Sequence, residues 1–257
     1  MNKDTLRQIV NVLAVLLTLT VNGLANAIPF NGITTGAVSD KFKVYFVPAG
    51  YVFAIWGVIY LFLIGFGVYQ ALPTQRENPR LRRIGYLFAL SCVANSAWIP
   101  LWHFGFFPLT LVMMLCLLVL LVFIYRRLEI DLKKVSTLET WLVNITFSIY
   151  LGWITVATIA NVTDLLTYWN WNGWGLSPKI WFVVMVAAAS VIAALVSFTR
   201  GDAAYMLVIV WAFVGIAVKL GPGTRLALVA WMAAGLAVLV MVGGTLFHRR
   251  RLQIQRS

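Results

Sequence analysis

The sequence predicts an all-α membrane protein, a polytopic bundle of about eight transmembrane helices. Three observations support this fold class. The 257 residues are 61% hydrophobic and only 11% charged, a balance that does not suit a water-exposed surface. Apolar stretches of about 20 residues, enough to cross a hydrocarbon core of about 30 Å, recur along the whole chain. The stretches are continuously apolar, which favours helices over the alternating pattern of a transmembrane barrel.

Short connections separate the predicted spans, as in a compact helical bundle. The first span follows Lys3 and Arg7 and carries a polar stripe, so we predict a retained helix. A cleaved signal peptide, with Ala25-Asn26-Ala27 as its small-residue site, is the alternative and would leave seven spans. The eight spans are residues 8–28, 47–72, 84–104, 107–125, 139–164, 180–198, 203–219 and 226–247.

The distribution of basic residues predicts the orientation in the membrane. If the N-terminus is cytoplasmic, only five of the 20 Lys and Arg residues fall in outer segments, so both termini are predicted to be cytoplasmic. The net charge of +12 is then a topology signal and an attraction to anionic lipid, and nucleic acid is not an expected partner. We predict a multi-pass protein of the bacterial plasma membrane. The five outer basic residues are Lys41, Lys43, Lys179, Lys219 and Arg225.

Patterns typical of catalysis or metal binding are absent from the sequence. Cys92 and Cys116 lie inside predicted spans and are interpreted as small apolar residues. All eight acidic residues fall in loops or at span ends, so no carboxylate is expected at mid-membrane as a proton relay. His103 is either an axial ligand for a haem iron or an interfacial histidine. We predict no catalytic residue, no metal site and no enzymatic activity.

Polar and aromatic residues form stripes on three of the predicted helices. In a helix, residues three, four and seven apart share a face. A buried amide is costly in hydrocarbon, so these faces must meet protein, water or a ligand. Hydrogen bonding between helices is one interpretation, and a shared cavity for a flat, mostly apolar ligand is the other. The stripes are Asn11, Thr18, Asn22 and Asn26; Ser91, Asn95, Trp98 and Trp102; and Tyr150, Trp153, Ala157 and Asn161.

The connection at 165–179 is rich in tryptophan. Tyr168-Trp169-Asn170-Trp171-Asn172-Gly173-Trp174 lies where the fifth span reaches the membrane surface. Two interpretations remain open: an aromatic belt at the lipid head groups, and a lid over a ligand.

Three motifs on these helices carry a family resemblance. Phe46-Val47-Pro48-Ala49-Gly50-Tyr51-Val52-Phe53, followed by Trp56 and Tyr60, is similar to F-x-P-P-x-W-V-F…W-x-x-x-Y. Asn95-Ser96-Ala97-Trp98-Ile99-Pro100-Leu101-Trp102 is similar to N-x-x-W-x-P-L-F, and Tyr150, Trp153, Ala157-Thr158 and Asn161 follow Y-x-x-W…A-T-x-x-N. Over residues 8 to 165 the chain resembles the TspO/peripheral benzodiazepine receptor family, the tryptophan-rich sensory or translocator proteins.

The resemblance implies a five-helix bundle around a ligand pocket. It divides the chain into a TspO-like ligand-binding bundle at 1–168 and an extension of three helices with a basic tail at 169–257. Family ligands include tetrapyrroles and sterols, so a bound porphyrin or haem is an expected ligand and not a resident cofactor. The site residues carried over by position are Tyr51, Phe53, Trp56, Asn95, Trp98, Trp153, Ala157 and Asn161.

The resemblance implies binding of a flat hydrophobic ligand for transport or stress sensing. A secondary transporter and a porphyrin-modifying enzyme are the alternatives, and a structural role with the last three helices as contact surface is a fourth. Membrane lipid and a small hydrophobic ligand are the expected partners, and a homodimer is left open.

Overall fold

The computed structural model describes residues 2–28 and 30–254, and eight long helices dominate this part of the chain. The chain is 82% helical and contains no strand within the described residues, which confirms the predicted all-α class. We number the long helices in chain order. They are α1 (Lys3–Ala27), α2 (Ile55–Ala71), α3 (Leu87–His103), α4 (Phe107–Arg127), α5 (Thr146–Tyr168), α6 (Pro178–Arg200), α7 (Ala203–Leu220) and α8 (Arg225–Ile254).

Seven of the helices described are long and apolar enough to cross a membrane. The remaining one, α3, has 17 residues and a length of about 26 Å, at the lower limit for a span. It packs between α1 and α4 and runs the full height of the bundle. We call the end of the bundle at which α1 begins the basal end; α3 also starts there, after the short helix Pro79–Ile84. We call the opposite end the loop end; α3 stops there, beside Thr35.

Sequence signals mark where several helices begin and end. Asn2 caps α1 by accepting the Asp4 N–H at 3.1 Å, and Asp202 caps α7 by accepting the Tyr205 N–H at 2.9 Å. Gly201 separates α6 from α7 at φ +69°, a left-handed conformation that favours glycine. The side chain of His248 packs against this glycine, so the turn between α6 and α7 is also held by α8.

The basal end is closed by a buried arginine. Arg80 is 9% exposed. Its guanidinium donates to Glu139 Oε1 at 2.6 Å, to Leu128 O at 3.0 Å and to Asn144 Oδ1 at 2.9 Å. Asn144 lies in a π-helical turn, Thr140–Ile145, which precedes α5 and forms one continuous rod with it. Charge-assisted bonds of this kind join the α2–α3 connection to the start of α5.

The connection between α1 and α2 folds over the loop end. It contains the short helix Thr35–Ser39 and a 3₁₀ turn, Gly50–Ala54, that leads into α2. Trp102 Nε1 donates to Thr35 O at 3.1 Å, and Ala49 N donates to Gly215 O at 3.1 Å. The connection is therefore held by α3 on one side and by α7 on the other. We call residues 30–54 the cover segment.

The last three helices pack on the first five without a break in the core. In the described chain α7 lies against α5, α8 against α7, and α6 against α8. Gly152 on α5 faces Tyr205 and Val208 on α7 so closely that a Cβ there would lie 3.1 Å from both. Buried apolar residues of both halves belong to one cluster. The division at 168/169 stays a prediction.

Candidate functional site

A narrow cavity lies beneath the cover segment at the loop end of α3, α4 and α5. Its volume is about 40 Å³, and five of the fourteen side chains in its wall are aromatic. We call it the inner cavity. Its wall consists of Ser39, Val47, Pro48 and Phe53 from the cover segment, Trp56 from α2, Trp98 and Trp102 from α3, Met114 from α4, and Trp153, Val156, Ala157, Ala160, Asn161 and Asp164 from α5.

The aromatic rings of the wall contact one another edge to face and in stacks. Trp98 and Trp102, one turn apart on α3, stack with centroids 5.3 Å apart and an interplanar angle of 18°. Trp153 meets Phe53 at 5.8 Å and Trp56 at 6.2 Å, both nearly perpendicular. Edge-to-face and offset contacts of this kind are worth about 0.5–1.5 kcal/mol each beyond area burial. The wall is therefore an interlocked set of rings with the small side chain of Ala157 between them.

Three polar atoms in this wall have no hydrogen-bond partner among the described residues. They are Nε1 of Trp98, Nε1 of Trp153 and Oδ1 of Asp164. Trp153 and Asp164 are each only 2% exposed, and Trp98 is 6% exposed. An unsatisfied buried polar group costs about 1–3 kcal/mol, and each one in a folded protein calls for an explanation. Two donors and one carboxylate oxygen without partners therefore belong to residues that line the same small cavity.

A closed polar network lies one helical turn below the inner cavity, toward the basal end. Asn22 Nδ2 donates to Asn95 Oδ1 at 2.8 Å, and Asn95 Nδ2 donates to the Tyr150 hydroxyl at 3.0 Å. The Tyr60 hydroxyl donates to Asn22 Oδ1 at 2.6 Å. These bonds link α1, α2, α3 and α5, so the network holds the four helices together beneath the cavity. Hydrogen bonding between helices is thus the correct interpretation for Asn22 and Asn95.

Phe53 and Trp56 separate the inner cavity from a larger groove. The groove has a volume of about 400 Å³ and lies between α1, α2 and the cover segment. We call it the outer groove. Phe53 and Trp56 line both spaces, and each is only partly buried. Rotation of these two side chains would join the spaces into one that reaches the range of about 300–1,000 Å³ typical of ligand pockets. The rest of the outer groove wall is Asn22, Asn26, Thr34, Thr35, Gly36, Ala37, Asp40, Gly50, Ala54, Tyr60 and Ile99.

The structure brings six of the eight predicted site residues to the inner cavity. Asn95 is not one of them, because both ends of its amide are engaged in the polar network. Tyr51 is not one either: it is 47% exposed and meets Trp211 of α7 edge to face at 5.5 Å. Gly50–Ala54 is a 3₁₀ turn, which directs the Tyr51 side chain away from the bundle. The six are Phe53, Trp56, Trp98, Trp153, Ala157 and Asn161.

Two further residues differ from the sequence-based expectation. Asp164 lies near the end of α5, one turn before Tyr168, but it is buried and lines the inner cavity. His103 is 2% exposed and is neither interfacial nor free for iron: Nε2 pairs with Thr35 Oγ1 at 3.0 Å and Nδ1 with Phe30 O at 2.9 Å. Helical spacing from Asn161 to Asp164, three residues, is the signal that could have placed Asp164 on the site.

The tryptophan-rich connection encloses a second space and does not cover the inner cavity. Trp171 and Trp181 lie 4.9 Å apart, and Trp181 Nε1 donates to Gly173 O at 2.9 Å. With Tyr45 and Phe182 they wall a cavity of about 420 Å³ on the neighbouring face of α5. Trp174 is 77% exposed, as expected for an aromatic belt.

A polar cavity of about 360 Å³ opens at the basal end. Burial and the neighbouring Asp202 raise the pKa of the Asp131 carboxyl to about 7, against the opposing effect of the Arg200 guanidinium. Burial also raises the pKa of Asp202, although this carboxylate accepts the Tyr125 hydroxyl at 2.7 Å. The Asp131 carboxyl can therefore take up or release a proton near neutral pH.

Comparison with protein families gives one match. A family model described as TSPO-like protein matches residues 8–245, from the second turn of α1 to the last part of α8. The match includes the three helices that the sequence motifs do not reach. No curated protein and no solved structure matches the chain.

Proposed function

The chain belongs to the TSPO-like protein family, and on that basis we propose that it binds a flat hydrophobic ligand, such as a tetrapyrrole, within the membrane. The proposed site is the inner cavity. One observation carries the proposal: Trp98 and Trp153, whose indole N–H groups have no partner in the described chain, line the same small cavity. Indoles buried at lipid depth pair with a neighbour or with a ligand.

We propose that binding requires the site to open. The inner cavity, at about 40 Å³, is too small for a tetrapyrrole. Phe53 and Trp56 form the partition to the outer groove of about 400 Å³. Phe53 belongs to the cover segment and Trp56 to the first turn of α2, so neither is part of the packed α3–α5 wall. Swinging these two rings outward opens a slot between Trp98 and Trp153. The closed structure is then the ligand-free state of a two-state site.

In the proposed complex the ligand stacks on indole and replaces the ring-to-ring contacts of the closed state. The two indole N–H groups donate to acceptors of the ligand, and Asn161 offers its amide at the far side. The Asn161 Oδ1 accepts only a long bond of 3.4 Å from Thr110, so this amide is the least committed of the buried asparagine amides around the site. Binding and release of such a ligand provide for sensing or passage through the membrane, and no catalytic step is required.

The test is a spectral titration of the purified protein with protoporphyrin in lipid nanodiscs. Trp153→Ala removes one face of the proposed slot and one donor. We expect at least a tenfold loss of affinity, since one stacked ring and one buried hydrogen bond together amount to about 1.4 kcal/mol or more. Trp141→Ala is the matched control, because Trp141 is 54% exposed and stacks only on Phe62.

Unchanged affinity in Trp153→Ala, with both variants folded, would remove the inner cavity as the binding site. Trp153→Phe separates the two contributions, because it keeps a ring and removes the N–H. A loss in Trp153→Ala that is fully recovered in Trp153→Phe would assign the energy to stacking alone. Haem and a sterol titrated in parallel define the ligand class.

Secondary transport is a second candidate, favoured by acidic residues that line cavities at both ends of the bundle. Asp164 lies at the loop end, and Asp131 and Asp202 lie at the basal end. Carboxylates inside a membrane bundle are typical of proton relays. Ligand flux into proteoliposomes that follows an imposed proton gradient supports this candidate, and flux independent of the gradient argues against it.

A further inference from the structure

We propose that, among planar ligands, the inner cavity prefers molecules that carry a basic nitrogen, held as a cation by Asp164 and the surrounding indoles. This inference rests on the proposed function and narrows its ligand class. It assigns Asp164 a binding role that neither the sequence motifs nor the family match contains.

A structural role does not explain the buried position of Asp164. It is 2% exposed on α5, one turn beyond Asn161, and its Oδ1 finds no partner anywhere in residues 2–28 and 30–251. A buried carboxyl group without a hydrogen-bond partner is unfavourable whether it is ionised or protonated. A carboxylate on a cavity wall, next to unpaired donors, therefore selects for a guest that brings the missing positive charge or donor.

One basic side chain at this end of the bundle is already engaged. It is Lys219, the last residue but one of α7. Its Nζ lies 2.7 Å from Asp40 Oδ1 of the cover segment, in an ion pair at the surface. Lys219 thus closes the cover segment onto α7 and leaves the Asp164 carboxylate for the cavity.

The remaining wall suits a cation as well. Five aromatic side chains surround the space opposite Asp164, four of them tryptophans, and indole is the most favourable ring for cation–π contact. Such contacts are strongest when the cation is removed from water, as it would be in this cavity. An aromatic cage with one carboxylate favours a protonated nitrogen over a neutral or anionic group of the same size. The five are Phe53, Trp56, Trp98, Trp102 and Trp153.

The unpaired indole donors complete the recognition. The N–H groups of the Trp98 and Trp153 indoles are hydrogen-bond donors, which a cation cannot satisfy. They therefore require acceptor atoms on the same ligand. A fused aromatic ring system with a basic nitrogen at one edge and an acceptor at another satisfies both. A plain hydrocarbon satisfies neither.

The experiment compares three planar probes of three fused rings in lipid nanodiscs, with empty nanodiscs as the partition control. 9-Aminoacridine is a cation at neutral pH, carbazole is a neutral N–H donor, and anthracene has neither feature. The wild type is expected to bind 9-aminoacridine at least tenfold more tightly than anthracene, with carbazole close to anthracene. Asp164→Asn, which keeps the shape of the side chain, is expected to abolish this preference and to leave anthracene affinity unchanged.

Glu77→Gln is the matched control for the loss of one negative charge, because Glu77 has a 76% exposed side chain at the basal end. Equal affinity for 9-aminoacridine and anthracene, or an unchanged preference in Asp164→Asn, would overturn the inference while the binding site itself stands. Binding of carbazole as tightly as 9-aminoacridine would also overturn the inference, because the site would then recognise an N–H donor and not a positive charge. Failure of all three probes, or their insensitivity to Trp153→Ala, would instead contradict the proposed function.

Discussion

Asn95→Ala should destabilise the bundle more than any single change in the amide set around the inner cavity. Asn95 bridges α1 and α5 through two short bonds, from Asn22 at 2.8 Å and to Tyr150 at 3.0 Å. The variant removes both and leaves the Tyr150 hydroxyl, 1% exposed as a residue, without its only partner in the described chain. Asn22 keeps its bonds to Thr18 O and to Tyr60.

The magnitude follows from these bonds. Hydrogen bonds between transmembrane helices average about 0.6 kcal/mol each, and the stranded hydroxyl adds about 1–3 kcal/mol. We expect Asn95→Ala to lower the free energy of unfolding by about 2–4 kcal/mol. Asn161→Ala loses only the 3.4 Å contact with Thr110, whose hydroxyl also donates to Phe107 O at 2.7 Å, so its cost should stay below about 0.5 kcal/mol.

The assay is reversible unfolding of both variants in mixed micelles, followed by tryptophan fluorescence, together with protoporphyrin titration at a temperature where both are folded. Asn95→Ala should lose stability and keep its affinity, while Asn161→Ala should keep its stability and lose affinity. Equal destabilisation by the two variants would refute the separation of a structural amide from a ligand-facing one. So would a loss of affinity confined to Asn95→Ala.

Two further predictions concern packing and pH. Gly215→Ala should lower the free energy of unfolding by about 1–3 kcal/mol in a thermal unfolding assay, because the new Cβ would overlap the Val52 side chain and push the cover segment away from α7. Gly235→Ala is the control, because open space surrounds Gly235, and it should be neutral or stabilising. Equal effects of the two variants would contradict the close approach of Gly215 to Val52. Wild-type stability should fall as pH rises from about 4 to about 7, because the unfolded chain releases the Asp131 proton near the ordinary carboxyl pKa of 3.8 and the folded chain retains it. In the folded chain, burial and Asp202 raise the pKa of Asp131 to about 7 against the effects of Arg200 and Arg80. Asp131→Asn should flatten this slope, and an unchanged slope would refute the assignment.

Much of the fold was accessible from the sequence because hydropathy and helical period are local properties. Continuous apolar runs located all eight helices, with ends that shifted by a few residues when caps and turns were resolved. The TspO-like resemblance is confirmed by the family match over residues 8–245. The last three helices lack the motifs, yet they belong to the match and supply Gly215 and Trp211 as supports for the cover segment.

The site was only partly accessible, because its composition depends on how neighbouring helices are rotated. The spacing of Trp153, Ala157 and Asn161 places all three on one face, and that face does meet the inner cavity. Helical spacing alone cannot show that Asn95 forms hydrogen bonds with Asn22 and Tyr150, because these bonds depend on how the neighbouring helices are placed. Asp164 was assigned to a span end because the apolar run stops there, whereas the helix continues for one more turn.

The most direct test of the ligand site is the ¹⁵N–¹H spectrum of the indole groups, of which the chain has 11. Single Trp→Phe variants assign the signals, and protoporphyrin is then added to the protein in nanodiscs. We expect the Trp98 and Trp153 signals to move together and saturably, as their N–H groups gain acceptors, while that of Trp141 stays in place. Saturable binding that leaves the Trp98 and Trp153 signals unmoved would contradict the account.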